Sequence, residues 1–215
     1  MARASGVAGE APPDLWDPLV RITHWGLAVI VLVNALLTDG GSALHVWIGW
    51  TGMALLLLRL VWGVVGPREA RFSAFPPDPR AALSHLAGLL RGRVTTHASH
   101  NPAGALMVYA FWAALAVVIA TGLGMTGGAT PMTIARQKAA VAAGDWSVLV
   151  VEGATTDDPS AGWTPVLQEV HAVAANLMLI LAVLHVAGVV VESRAMRRNL
   201  LRPMLTGTPR PRRDE

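Results

Sequence analysis

The chain of 215 residues contains no cysteine. Disulfide bonds, thiolate zinc sites, iron–sulfur clusters and covalently attached haem of the c type are therefore excluded. Charged residues are also scarce, since Asp, Glu, Lys and Arg together make up 14% of the chain. Soluble domains carry about 25% of such residues, and the apolar excess here excludes a disordered or strongly solvated chain.

Positive charge comes almost entirely from arginine, with 17 basic residues against 14 acidic ones. The resulting net charge of +3 is modest and does not indicate nucleic acid as a partner. The arginines instead cluster in a few segments that connect long apolar runs, a pattern typical of membrane proteins.

Four apolar runs each reach bilayer length, which takes about 20 helical residues. They cover residues 18–38, 43–65, 102–125 and 166–191. The sequence therefore predicts an all-α fold, a four-helix transmembrane bundle in a lipid bilayer. The predicted domains are an N-terminal segment at 1–17, a membrane domain at 18–192 and a basic tail at 193–215.

The arginines also predict the orientation. Five lie between the second and third spans and seven lie in the tail: Arg68, Arg71, Arg80, Arg91, Arg93, Arg194, Arg197, Arg198, Arg202, Arg210, Arg212 and Arg213. On the opposite side, the turn at 39–42 has no basic residue, and the loop at 126–165 has only Arg136 and Lys138. Under the positive-inside rule both termini are cytoplasmic, and 126–165 is an outer loop.

Two connecting segments contain further signals. Asp78 followed by Pro79 predicts the N-cap and first turn of a short amphipathic helix at 80–90, lying on the inner membrane surface. Within the outer loop, residues 132–143 suit a helix, whereas residues 157–160 predict a turn.

Histidines are the main candidates for functional residues. Seven occur, and four of them lie inside the predicted spans: His24, His45, His171 and His185. An ionisable side chain inside a bilayer is costly and indicates a function by default. For any one of these residues alone, a hydrogen bond to a neighbouring helix is an equally good explanation.

Spacing and depth sort the four histidines into two pairs. His171 and His185 are 14 residues apart, which places them on one helix face and about 21 Å apart along the axis. In the predicted orientation, His24 and His185 lie near the inner membrane face, whereas His45 and His171 lie near the outer one. Two imidazole pairs at two depths are typical of the axial ligands of two b-type haems.

Other kinds of site fit this pattern less well. A zinc or di-iron site needs three or four ligands in one coordination sphere, usually with carboxylates, and the spans contain almost none. A proton relay needs ionisable groups spaced along a path, which two depth-matched pairs do not provide.

Among the remaining histidines, His85 and His97 are interpreted as exposed. His100 is interpreted either as a contact to a propionate or quinone, or as a helix cap.

Arg59 is a further candidate for cofactor binding. It lies 14 residues after His45 and therefore on the same helix face, but near the inner side of the membrane. Its guanidinium could neutralise the propionates of the inner haem. The alternative is a side chain that snorkels to the interface.

Several strings of residues between about 15 and 200 carry a family resemblance. They are Trp16–Trp25, His45–Gly49, Arg59–Gly63, Ala70–Phe72 and His100–Gly104, together with His171 and His185. In these strings the chain resembles the bacterial cytochrome b561 and nickel-hydrogenase cytochrome b family. The resemblance implies a four-helix fold with two haems b in the bacterial cell inner membrane, and all four ligand positions are filled. It also implies electron exchange with quinone and with a periplasmic or membrane-bound redox protein, such as a hydrogenase-like subunit or a cytochrome c.

The sequence is therefore interpreted as a membrane di-haem cytochrome b that passes electrons between such a partner and the quinone pool. Two histidine ligands leave no open axial position for O2, so the haems are expected to carry electrons. The chain then serves as the electron-transfer subunit of a respiratory oxidoreductase. One alternative is a stand-alone superoxide:quinone oxidoreductase similar to this family, although the outer loop lacks the basic surface that this activity needs. Another alternative is a haem-free transporter or assembly factor.

Overall fold

The computed structural model describes residues 16–93, 95, 97, 99–149 and 163–206, and the regular structure within these ranges is helical throughout. Seven α-helices follow one another: α1 Pro18–Leu36, α2 Ala43–Val65, α3 Pro79–Leu90, α4 Pro102–Met125, α5 Pro131–Ala142, α6 Thr164–Ala195 and α7 Arg202–Leu205. Short 3₁₀ turns occur at Arg68–Ala70, Phe72–Ala74 and Ser147–Leu149.

Four of these helices, α1, α2, α4 and α6, are long and apolar enough to cross a membrane. Large apolar side chains on them face outward: Ile22 is 66% exposed, Val64 67% and Val183 70%. Lipid tails cover such side chains in a bilayer, whereas a soluble protein rarely leaves large contiguous apolar patches uncovered. In the part that the structure describes, the chain is an all-helical, multi-pass membrane protein with four spans.

The helix bounds differ from the predicted spans at a few ends. Helices α2 and α4 have the predicted bounds, whereas α1 ends at Leu36, where the Thr38 hydroxyl bonds the Asn34 carbonyl at 2.8 Å. Helix α6 runs from Thr164 to Ala195 and is longer than the predicted span at both ends. Hydropathy identifies only the apolar part of a helix, whereas α6 also includes polar residues at both of its ends.

The segments that connect the spans contain the two predicted short helices. Helix α3 begins at Pro79, and the Asp78 carboxylate accepts hydrogen bonds from the amides of Arg80 and Ala81. Helix α5 covers most of 132–143. The predicted turn at 157–160 lies outside the described residues, as do 1–15 and 207–215. The division into segments 1–17, 18–192 and 193–215 stays a prediction.

The chain divides into two compact units. Unit 1 comprises the described residues of 1–24, 58–111 and 181–215, and unit 2 those of 25–57 and 112–180. Each of the four membrane-spanning helices contributes one end to unit 1 and the other end to unit 2. The four histidines therefore separate, with His24 and His185 in unit 1, and His45 and His171 in unit 2.

Unit 1 is tied together by polar side chains at its helix ends. The Asp17 carboxylate caps α1 by accepting from the amides of Leu19 and Val20, at 2.9 and 3.1 Å. The same oxygen accepts from the indole N–H of Trp62 near the end of α2, at 3.0 Å. Asp17 therefore stabilises the start of α1 and joins it to α2.

A second polar link in unit 1 joins α4 to α6. The Asn101 side-chain oxygen caps α4 by accepting from the Gly104 amide at 2.6 Å, and its amide group donates to the Glu192 carboxylate on α6. The basic tail is held in a similar way, because the Arg21 guanidinium on α1 donates to the carbonyls of Met204 and Leu205.

Close packing of α1 on α2 in unit 2 depends on two glycines. A Cβ at Gly26 would lie 2.7 Å from the Leu55 side chain, and one at Gly52 would lie 3.1 Å from Ile30. Small residues at helix contacts let apolar helices approach closely in a membrane.

Replacing Asp17 tests its role as a cap. We expect Asp17→Ala to lower the free energy of unfolding by about 1–2 kcal/mol, because the first turn of α1 loses its acceptor. Asp17→Asn keeps an acceptor oxygen and should remain close to the wild type. Thermal unfolding in detergent, followed by circular dichroism, measures both. An alanine variant that melts with the wild type would contradict this assignment.

Candidate functional site

Unit 1 brings together an imidazole from α1 and one from α6. His24 lies in the second turn of α1, and His185 lies about one turn beyond the middle of α6. Their ring centroids are 6.2 Å apart, and the ring planes make an angle of 55°. Phe111 of α4 stands edge-on to His185, with its ring centroid at 6.0 Å.

Unit 2 contains an equivalent pair from α2 and α6. His45 lies in the first turn of α2, and His171 lies in the second turn of α6. Their ring centroids are 6.1 Å apart, with an interplanar angle of 52°. The structure thus brings together the same two pairs that the spacing and depth argument predicts from the sequence.

The separation within each pair suits one metal ion between two imidazole nitrogens. A histidine nitrogen binds a metal at about 2 Å, and its ring centre lies about 1 Å further back, so two ligands place their ring centres about 6 Å apart. A direct hydrogen bond between two imidazoles would bring the nitrogens to about 2.9 Å and the centres to about 5 Å. The observed 6.1 and 6.2 Å fit the first arrangement.

Two threonine hydroxyls fix the histidines of unit 2. The Thr121 hydroxyl on α4 lies 3.0 Å from His171 Nδ1 and 2.7 Å from the Val117 carbonyl. The Thr38 hydroxyl lies 3.1 Å from His45 Nδ1 and 2.8 Å from the Asn34 carbonyl. A carbonyl only accepts, so each hydroxyl donates its proton there and accepts the Nδ1–H of its histidine. This leaves Nε2 of each histidine as the free electron pair donor.

Sequence reasoning missed both threonines. Thr121 is the partner of a residue 50 positions away, and Thr38 stands in a turn seven positions before His45. The only available signal was a hydroxyl residue in an otherwise apolar span, which is common in membrane helices.

Two glycines that follow histidines along their helices have open space on their side-chain face. Gly49 lies one turn after His45 along α2, and a Cβ there would meet no atom within 4 Å. Gly188, one turn after His185, is likewise open. Gly52 is different, because it packs against Ile30 and so serves contact between helices. The donor set and the space beside it fit an iron porphyrin, although the role of these histidines as ligands stays a prediction.

Arg59 is buried in unit 1, the unit that contains His24 and His185. Its side chain is 5% exposed, and its guanidinium donates to the Ala70 carbonyl at 3.2 Å. The guanidinium carbon also lies 6.0 Å from the centre of the Phe72 ring. Such burial does not suit a side chain that snorkels to water. Contact with a propionate stays a prediction.

His100 packs against aromatic rings in unit 1. Its ring centroid lies 4.6 Å from that of Phe75 and 5.0 Å from that of Trp16. The Ser99 hydroxyl lies 3.2 Å from His100 Nδ1 and donates to the Glu69 carbonyl, so His100 donates Nδ1–H to Ser99. The interpretation of His100 as a helix cap is wrong, because Asn101 caps α4.

The electrostatic surroundings of His100 favour its neutral form. Burial lowers the pKa of His100 to about 4, and the positive charge of Arg59 acts in the same direction. His100 is therefore an uncharged imidazole at physiological pH, one that can donate and accept hydrogen bonds without adding charge.

The expectation that His85 is exposed is also wrong. Its side chain is only 7% exposed and lies 3.5 Å from the Glu192 carboxylate on α6. His97 is partly buried, and its ring stands edge-on to that of His85 at 5.6 Å. No sequence pattern indicates this cluster, because its residues come from three separate elements.

Membrane-spanning helices that present facing imidazole pairs define a class of protein, the haem-binding membrane cytochromes. The family described as Prokaryotic cytochrome b561 matches residues 15–207, which is most of the chain. The chain therefore belongs to the prokaryotic cytochrome b561 family, whose members are helical membrane proteins that bind haem b and transfer electrons. No curated protein and no solved structure matches the chain significantly.

The lowered pKa of His100 predicts a dependence of stability on pH. Between pH 6.5 and about 4 the unfolded chain binds a proton at His100 that the folded protein does not. The stability that His100 contributes is thus present above pH 6.5 and is lost as the pH falls toward 4. The midpoint temperature of thermal unfolding in detergent should fall more steeply with decreasing pH for the wild type than for His100→Gln. An equal dependence of the midpoint temperature on pH in the two proteins would contradict the lowered pKa of His100.

Proposed function

We propose that this cytochrome holds two haems b, one between His24 and His185 and one between His45 and His171. Through them it passes electrons between a redox partner and the quinone pool. The observation that supports this proposal most strongly is the equal spacing of the two imidazole pairs, with ring centroids 6.2 and 6.1 Å apart.

The ligand set explains why electron transfer is favoured over gas binding or substrate chemistry. Haem b, when bound, supplies an iron that accepts and gives up single electrons. A histidine pair that held a haem would leave its iron no free position for O2 or a substrate. The helices hold the four imidazoles, and their own packing keeps each pair at a fixed separation.

Thr38 and Thr121 position the imidazoles of the second pair. Metal-bound histidines commonly donate their other ring N–H to an acceptor, which fixes the tautomer and increases the electron density on the ligating nitrogen. The two hydroxyls accept such bonds at 3.1 and 3.0 Å. Their role is therefore to hold His45 and His171 with Nε2 directed away from the threonines.

Arg59 supplies positive charge near the other pair. The guanidinium carries a permanent positive charge, which the carboxylates of haem propionates would neutralise through charge-assisted hydrogen bonds. The guanidinium shares unit 1 with His24 and His185. We assign Arg59 to the propionates of the haem held by those two histidines.

The distribution of arginine supports an orientation with both termini in the cytoplasm of a bacterial cell. In that orientation His24 and His185 serve the cytoplasmic side, and His45 and His171 the periplasmic side. The loop at 126–165, which includes α5, then faces a periplasmic or membrane-bound redox partner, a hydrogenase-like subunit or a cytochrome c. Residues 150–162 of this loop lie outside the described residues.

Removing single histidines tests the pairing. His24→Ala and His185→Ala should lose the same component of the reduced-minus-oxidised spectrum, and His45→Ala and His171→Ala should lose the other. The double variant within a pair should resemble its singles, because the two ligands act as a unit. His97→Ala, a histidine outside both pairs, is the control and should keep both components. If His24→Ala and His45→Ala lost the same component, the proposed pairing would be wrong.

Thr121→Val tests the support of His171. Without the hydroxyl the imidazole is a weaker electron donor, which stabilises the oxidised iron less, so the midpoint potential of that haem should rise. A redox titration followed by the haem absorbance measures the shift, and the other haem should keep its potential.

Thr126→Val is the matched control for Thr121→Val. The Thr126 hydroxyl donates to the Gly122 carbonyl at 3.0 Å. The Thr126→Val substitution therefore removes the same chemical group near the same end of α4. It should leave both potentials unchanged. An equal shift in the two variants would contradict the specific role of Thr121.

A further inference from the structure

Unit 1 contains a second group of ionisable side chains besides His24 and His185. His85 comes from α3, His97 from the segment between α3 and α4, and Glu192 from the last turns of α6. Asn101, at the start of α4, completes this group, which is called the Glu192 cluster below. Neither the haem assignment nor the electron-transfer function uses these residues.

The Glu192 cluster is largely shielded from water and closely packed. His85 Nε2 lies 3.5 Å from Glu192 Oε1, and the two side chains are 7% and 13% exposed. Asn101 donates its amide to the other carboxylate oxygen, Oε2. The His85 and His97 rings meet at 73°, with centroids 5.6 Å apart.

The Glu192 cluster contains three side chains that can take up a proton. Imidazole ordinarily titrates near pH 6.5, within the physiological range. The titratable groups come from three elements: His85 of α3, His97 of the connecting segment and Glu192 of α6, whereas α4 contributes only the neutral Asn101. The pKa of His97 lies below its ordinary value, because burial and His85 lower it more than Glu192 and a hydrogen bond to the Thr95 backbone raise it. The Glu192 carboxylate therefore opposes the effect of burial on the His97 imidazole.

The position of Glu192 couples the cluster to the His24/His185 pair. Glu192 follows His185 by seven residues on α6, which is about two turns, so both lie on one face about 10 Å apart along the axis. A negative charge added near His185 increases the proton affinity of the Glu192 cluster at that distance. At an effective dielectric constant of about 20, the increase is on the order of tenfold.

We propose that the Glu192 cluster is a proton-accepting site, which binds one proton from the aqueous phase when an electron arrives at the His24/His185 pair and releases it when the electron leaves. The proposal rests on the proposed function, because it requires a haem at that pair. Two such cycles supply the two electrons and two protons that convert one quinone into one quinol. No other oxidant or reductant is needed.

The pH dependence of the midpoint potential tests this proposal. In the purified full-length cytochrome, the potential of the haem at His24 and His185 should fall as the pH rises through the neutral range, since reduction then takes up a proton. Glu192→Gln should remove at least half of this slope. His85→Gln, which keeps a polar group of similar size without a titrating ring, should do the same.

Glu169→Gln is the matched control, because it removes a glutamate from the same helix at an exposed position in unit 2. It should keep the wild-type slope at the His24/His185 haem. A wild-type potential that is independent of pH would overturn the proposal, as would full slopes in both Glu192→Gln and His85→Gln. If Glu192→Gln fails to fold, the slope measured for His85→Gln alone tests the proposal.

The same samples separate this inference from the proposed function. A wild-type protein that contains both haems but shows no slope overturns only the proton-accepting role of the Glu192 cluster. A wild-type protein without haem at His24 and His185 overturns both proposals. Both proposals are supported by purified protein that contains both haems and whose midpoint potential depends on pH through Glu192.

Discussion

A histidine inside an apolar helix needs a partner, because an unpaired polar group away from water costs about 2–7 kcal/mol. Three helices of this cytochrome, α1, α2 and α6, present the four histidines as two facing pairs whose ring centroids are 6.2 and 6.1 Å apart. That distance is too long for a direct hydrogen bond and suits a metal between the rings. The proposed binding of haem depends on this spacing.

Polar contacts at the helix ends keep the helices in the register that the histidines require. Asp17 joins α1 to α2 in unit 1, and Asn101 joins α4 to α6 through Glu192. In unit 2, Thr121 of α4 reaches His171 of α6. Lipid does not drive apolar helices together, so such contacts and close packing at small residues determine how helices associate.

The sequence was sufficient for the spans and for the histidine pairs, but not for the groups around them. Apolar runs and helical periodicity are local properties, and the 14-residue spacing of His171 and His185 can be read directly from the chain. The contacts of Thr121 with His171 and of His85 with Glu192 join residues at least 50 positions apart. Such contacts depend on how helices pack, which hydropathy does not encode, so the prediction that His85 is exposed was wrong.

The central claim, that each imidazole pair binds one haem, is tested most directly by the haem content of the purified chain together with the spin state of its iron. The account predicts two non-covalent haems b per chain, with low-spin iron in both oxidation states, because two histidines would ligate each iron. A pyridine haemochrome assay measures the haem content, electron paramagnetic resonance of the oxidised protein measures the spin state of the ferric iron, and the absorbance spectrum of the reduced protein reports that of the ferrous iron. One haem per chain, or a high-spin ferric signal in intact protein, would contradict the account.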